Sequence, residues 1–134
     1  MATMHVEVVS AERHVLSAEM TELYARSVEG EIGILPGHQP ALVALDTAPL
    51  RVRTAEGDQL SIAVHQGLLY VGRDKVIVLA DIAELAESID VARARERLDE
   101  LERRLAAADD PVLRASQRKQ RLRLDVAASV AGQA

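Results

Sequence analysis

Four histidines, His5, His14, His38 and His65, are the residues of this 134-residue chain best suited to metal or acid–base chemistry, and their spacing supports neither. They stand isolated, with no HExxH and no carboxylate at a ligand-like interval, so no metal site is expected. The chain has no cysteine, which removes thiolate nucleophiles, disulfides and cysteine-ligated metal centres. A GxSxG elbow is also missing, and the few serines have no evident His and acid partners, leaving nucleophilic hydrolysis without a basis. The glycine-rich stretch Glu29 to Pro40 (EGEIGILPGHQP) must be read as a phosphate loop or as a structural turn. A phosphate loop needs Lys followed by Ser or Thr after its last glycine, at the start of a helix. Here His38 and Gln39 follow Gly37, and Glu29 and Glu31 would repel phosphate. The stretch therefore reads as an exposed loop stiffened by Pro36 and Pro40, able to serve as a contact surface.

Two further groups carry charge in a pattern. Arg118, Lys119, Arg121 and Arg123 form a cationic cluster that could meet nucleic acid, an anionic ligand, an acidic protein surface or only solvent. Stacking of nucleobases is excluded, because Tyr24 and Tyr70 are the only aromatic residues. Asp81 and Glu84 have capping-box spacing if a helical turn begins at Asp81, although an extended segment fits as well.

The elements that must position these groups fall into two halves. Residues 1 to 90 carry six basic and fourteen acidic side chains, net −8, and residues 91 to 134 carry ten and seven, net +3. Six of the seven glycines lie at or before Gly72, which separates turn-rich from helical sequence at about the same boundary. In the first half apolar residues recur with period two, as in Val6 and Val8, Leu50 and Val52, and Leu60, Ile62 and Val64. Glu56-Gly57-Asp58 and Gly72-Arg73-Asp74 read as hairpin turns between such runs. Short strands without intervening helices predict an antiparallel β-sandwich or small barrel and not a parallel sheet, with room for about eight to ten strands. From Asp90 the period becomes helical: Ala94, Leu98, Leu101, Leu105 and Ala108 form one stripe behind an Asp90 N-cap. Asp110 and Pro111 open a second helix whose stripe, Ala115, Leu122, Val126 and Val130, is poor in large residues. The fold class is thus α+β, an N-terminal sandwich over residues 1–86 followed by an antiparallel two-helix hairpin over residues 87–134. The thin seam predicts a hairpin that detaches more easily than the sandwich opens. No run of residues is long and apolar enough to span a bilayer.

Three segments together carry a resemblance: Glu29-Gly30-Glu31-Ile32-Gly33-Ile34-Leu35-Pro36-Gly37-His38, then Val76 to Ala80 leading into Ala83-Glu84, then Ile89-Asp90-Val91-Ala92-Arg93-Ala94. They resemble the epsilon subunit of bacterial F-type ATP synthase over residues 4 to about 128, in the family's order of ten-stranded sandwich and helical hairpin. The resemblance implies a non-catalytic central-stalk subunit at the cytoplasmic face of the cell membrane. Such a subunit binds gamma and the c ring through its sandwich and couples proton-driven ring rotation to ATP synthesis. It implies c-ring contact by Glu31 and His38. It further implies a hairpin that can extend toward the alpha and beta subunits and inhibit ATP hydrolysis, here through Arg114, Arg118, Lys119, Arg121 and Arg123. No cofactor is required and no nucleic acid is involved, and the membrane is met through the complex alone.

Some members of that family bind ATP as a regulatory ligand in the folded state, through a motif that Ile89 to Ala94 matches. The implied contacts are Glu84, Ile89, Asp90, Arg93 and, from the second helix, Arg123. Two departures bear on it: Glu100 stands where nucleotide-binding members often have a basic residue, and the second helix is polar from Ser116 to Gln120. Gln66 before Gly67 replaces a common pair of glycines and is expected to affect a turn. The alternative function is a nucleotide-sensing module whose hairpin closes on ATP.

Overall fold

The computed structural model describes residues 2–131, and the side chains of Val130 and Ala131 lie outside the described set. Alternating apolar residues build seven strands: β1 (Met4–Ser10), β2 (His14–Ser27), β3 (Gly30–Ile34), β4 (Ala41–Leu45), β5 (Ala48–Thr54), β6 (Gln59–Val71) and β7 (Lys75–Leu85). They form the expected sandwich with fewer, longer strands than the eight to ten anticipated. The difference arises because β2, β6 and β7 run 14, 13 and 11 residues, and β2 and β6 change neighbours along their length instead of breaking into separate strands. Pairing runs in a closed circuit, β1–β2–β5–β6–β7 and back to β1, with β3 and β4 extending it from β2 and β6. Every contact of this circuit is antiparallel except β1 with β7, where His5 to Ser10 lie parallel to Lys75 to Ala80. That parallel closure joins the first and last strands and leaves neither as a free edge.

The inner faces supply the core, which includes Val6, Val8, Met20, Leu23, Ile34, Leu50, Ile62, Val64, Leu69 and Val78 and contains no aromatic ring. Each such side chain contributes roughly 1.5–3 kcal/mol when fully buried. The stretch expected to be loop from Glu29 to Pro40 is strand over its first part: Gly30 to Ile34 pair with Leu23 to Ser27 of β2. Ile34 enters the core, and Gly33 faces the Tyr24 ring so closely that a Cβ there would lie 2.9 Å from it. From Leu35 onward the chain is loop, as anticipated.

The sequence Gln66-Gly67 lies within β6 and not in a turn. Residues 59–64 of β6 pair with β5 and residues 67–71 with β4, so the strand changes neighbours at this point. Gln66 takes the left-handed conformation (φ 55°) that lets the strand bend, while pairing with β7 resumes in the same register at Gly67. A Cβ on Gly67 would stand 2.2 Å from the Leu79 carbonyl oxygen, so only glycine fits.

A 3-10 turn (Ala86–Ser88) leads to α1 (Val91–Ala107) and α2 (Pro111–Ala131). Asp90 caps α1 as expected, its carboxylate accepting from the Arg93 backbone N–H at 3.0 Å. Asp110 likewise accepts from the Val112 N–H at 2.9 Å at the start of α2. Ala94 and Leu101 are buried along the α1 stripe, whereas Ala108 is the exposed, extended residue that ends the helix. The extended segment is the outcome at Asp81 and Glu84, both on β7. Replacing Gly67 by alanine is expected to cost about 3 kcal/mol or more by steric overlap. Gln66→Gly, which removes a left-handed penalty of about 1–2 kcal/mol, should be neutral or stabilising. Denaturant unfolding of both variants checks this pair.

Candidate functional site

Two outer surfaces of β6 matter most. In its first half Ala63 and His65 point away from the core and are nevertheless buried, because α2 lies over them. Ala63 joins Ala86, Ile89, Leu122 and Val126 in a small second cluster, with Ala127 packed against it. Among the described residues α2 makes the helical pair's broad contact with the sheet and α1 packs on α2. In its second half β6 turns Leu68 and Tyr70 outward beside Leu42 and Ala44 of β4 and Ile77 and Leu79 of β7, which are their cross-strand partners. Leu42 is 68% exposed, Leu79 51%, Tyr70 49% and Leu68 43%, so three adjacent strands present one apolar strip to solvent. Strips of this kind mark interaction surfaces.

A polar cavity of about 570 Å³ opens where the hairpin meets the end of β7, and its lining includes Glu84, Asp90, Arg93, Arg97, Glu100 and Arg123. Four of the five residues nominated for nucleotide contact, Glu84, Asp90, Arg93 and Arg123, therefore converge. Ile89 does not line the cavity and is buried in the second cluster. Arg123 donates from Nε to Glu84 Oε1 at 2.7 Å and from Nη1 to Gln120 Oε1 at 3.2 Å. His65 Nε2 lies 3.4 Å from the same Glu84 oxygen, an electrostatic contact without good hydrogen-bond geometry. Arg97 pairs with Glu100 at 3.2 Å, and Arg93 has no ion pair among the described residues. The His65 ring, and then the Arg123 guanidinium, hold the Glu84 carboxyl below the ordinary glutamate value against the opposing effect of burial.

The remaining candidates are spread over the surface. Glu31 is exposed on β3 with Arg26 3.6 Å away, and His38 is exposed in the loop that follows, its Nδ1 2.7 Å from the Gln39 carbonyl oxygen. On α2 Arg114 pairs with Asp109 and Arg121 with Glu102 of α1, while Arg118 and Lys119 have no ion pair among the described residues. His5 is less isolated than its sequence position suggests. Its ring meets Glu19 at 2.8 Å and Glu7 at 3.3 Å, and the Glu19 contact raises its pKa. Among the described residues no group of side chains is arranged to hold a metal, and no helix is long and apolar enough to cross a membrane.

The family model for the ATP synthase delta/epsilon chain β-sandwich domain matches residues 3–86, ending where the 3-10 turn begins. The ATP synthase epsilon chain of Streptomyces griseus is 48% identical over 98 residues, covering 73% of this chain and 79% of the relative. That of Brevibacillus brevis is 44% identical over 105 residues, covering 78% and 80%. This chain belongs to the ATP synthase epsilon family. Two solved structures share the fold. One is a chain from the Euglena gracilis mitochondrial ATP synthase OSCP/F1/c-ring structure, with TM-score 0.71 and 19% identity, covering 99% of this chain and 82% of that one. The other comes from the central stalk/c-ring structure of Tetrahymena thermophila, with TM-score 0.60 and 13% identity over 95% of both chains.

For this epsilon-family chain, residue-by-residue reading missed the outward apolar strip and the place of His65, Arg97 and Gln120. A signal for the strip existed. Leu68 to Val71 and Val76 to Ala80 are apolar at both parities, which marks strands covered on both faces. Because the folded pKa of Glu84 is depressed from 4.5, its favourable contribution is present above that value and lost as pH falls through the folded one. The stability advantage of wild type over Glu84→Gln should therefore be full at neutral pH and vanish well below pH 4.5. Thermal melts of both proteins across acid pH measure it.

Proposed function

We propose that this chain is a non-catalytic central-stalk subunit of a rotary F-type ATP synthase, coupling proton-driven rotation of the c ring to ATP synthesis. The reading divides the work between a sandwich, residues 1–86, which binds gamma and the c ring, and a regulatory hairpin, residues 87–134. The observation that carries it is the apolar strip of Leu42, Leu68, Tyr70 and Leu79 on a sandwich of the epsilon family, which suits burial against a partner. We assign that strip to gamma and the loop bearing Glu31 and His38 to the polar surface of the c ring, and on the same reading the subunit works at the cytoplasmic face of the membrane. A stiff loop adds little ordering cost on binding. The alpha and beta subunits are the partners of the extended hairpin. There Arg114, Arg118, Lys119, Arg121 and Arg123 would meet acidic segments and inhibit hydrolysis.

A second reading, regulation by ATP, is favoured by the convergence of Asp90, Arg93 and Arg123 on one cavity with Arg93 lacking an ion pair. Its electrostatics are modest, since four carboxylates (Glu84, Asp90, Glu96 and Glu100) face three guanidiniums (Arg93, Arg97 and Arg123). Calorimetric titration with ATP tests it: binding that Arg93→Ala abolishes supports a nucleotide site, and no heat from either protein removes it. For the main reading, Leu42→Glu combined with Tyr70→Asp should weaken binding to the gamma subunit at least tenfold while leaving the melting of the sandwich within about 2 °C. Unchanged gamma affinity would place that interface elsewhere.

A further inference from the structure

The hairpin's contact with the sandwich has an unusual composition. Its apolar part is small: Leu122, Val126 and Ala127 rest on Ala63, Ala86 and Ile89, most of them alanine or valine. Its polar part is one constellation, in which Arg123 of α2 reaches across to Glu84 of β7 while Gln120, one turn earlier and buried, accepts the same guanidinium's second bond. The side chains of Arg123 and Glu84 are 29% and 19% exposed, so water screens this pair less than the other hairpin ion pairs, which are 42% exposed or more. His65 lies beneath it, buried by α2 and 3.4 Å from Glu84. Arg123 has an ion pair with the sandwich, whereas those of Arg114 and Arg121 stay within the helical half.

We propose that Glu84, Arg123 and Gln120 form a latch that holds the helical pair on the sandwich, with Glu84 occupying the arginine that an acidic partner surface would otherwise take. The inference rests on the hairpin detaching, as read above, and names the contact that governs it. The Nε–H that Arg123 gives to Glu84 can be given to only one acid at a time. Docking and partner binding therefore compete for this guanidinium, and a partner acid that is to take Arg123 must displace Glu84. The bond geometry makes arginine specific here. The guanidinium sends Nε to Glu84 and Nη1 to Gln120, and a lysine ammonium at the end of a single stem cannot reproduce that fork.

The test uses the full chain, which has no cysteine of its own. Ser61 and Ser129 line one cavity, from β6 and from the end of α2, so spin labels at Ser61→Cys and Ser129→Cys report docking as a distance. Wild type should show a dominant short distance with a small separated population. Glu84→Gln and Arg123→Gln should each raise the separated-to-docked ratio about tenfold, the scale of losing a hydrogen bond between charged groups. Arg123→Lys should fall between them and wild type, and Glu87→Gln, an exposed neighbour of equal charge, should change nothing. Melting of the sandwich, followed in each variant, separates release of the hairpin from general unfolding. A separated population in wild type that Glu84→Gln and Arg123→Gln leave unchanged overturns the latch alone. A short distance in all variants, with no separated population, overturns both the latch and the detachable hairpin.

Discussion

Strand β6 gives one face to the core and buries or exposes apolar groups on the other from Ala63 to Tyr70, and much of the molecule is organised around that demand. Its inner face contributes Ile62, Val64, Leu69 and Val71 to the core. Its outer face carries Ala63 and His65 in the first half and Leu68 and Tyr70 in the second, and the large apolar pair calls for cover by a partner. The two halves meet this differently: small Ala63 and the buried His65 accept a helix laid over them, while Leu68 and Tyr70 stay open beside Leu42 and Leu79. The change occurs at Gln66, where the left-handed backbone turns the strand from β5 toward β4. A single bend therefore separates the surface that receives the molecule's own hairpin from the surface that faces outward.

The two parts are held with unequal strength. The sandwich closes on itself through β1 and β7, and its core includes more than a dozen buried apolar side chains drawn from all seven strands. The hairpin rests on the outer face through three alanines, one valine, one leucine and Ile89. Apolar burial scales with area, so opening this seam costs far less than opening the sandwich, and the helical pair belongs to the low-stability end of the structure. With the apolar term this small, the polar contacts decide whether the helices stay docked.

Much of this was legible in the residues. Period-two runs located the strands, Asp90 and Asp110 announced both helices and cap them, and Glu56-Gly57-Asp58 and Gly72-Arg73-Asp74 are turns. Strand number was not legible, because nothing in a local pattern tells whether a long strand bends or breaks. The parallel β1–β7 pairing joins residues some seventy positions apart, beyond the reach of any periodicity. At the site, spacing along α1 brought Asp90 and Arg93 together. The partnership of Arg123 with Glu84 crosses 39 residues and needs the hairpin folded back before it exists. Gly30 to Ile34 misled as loop because glycine was weighed as punctuation, whereas a tyrosine on the neighbouring strand covers Gly33 and makes it a strand residue.

On the proposed reading, charge would make docking of the hairpin reversible. The first ninety residues carry net −8 and the remainder net +3, so a diffuse attraction favours docking at low ionic strength and weakens as salt shortens the screening length. That attraction cannot by itself distinguish the chain's own sandwich from another acidic protein surface, since both offer carboxylates to the same arginines. What distinguishes them is geometry: Glu84 is fixed on β7 at 2.7 Å from Arg123 and pre-positioned with Gln120, whereas a partner's acids gain that contact only after the helix has moved. A fixed internal acid has a high effective concentration, and an external surface can compete with it only by engaging several cations together. On the proposed reading, Arg118 and Lys119, which have no ion pair among the described residues, would supply that additional engagement.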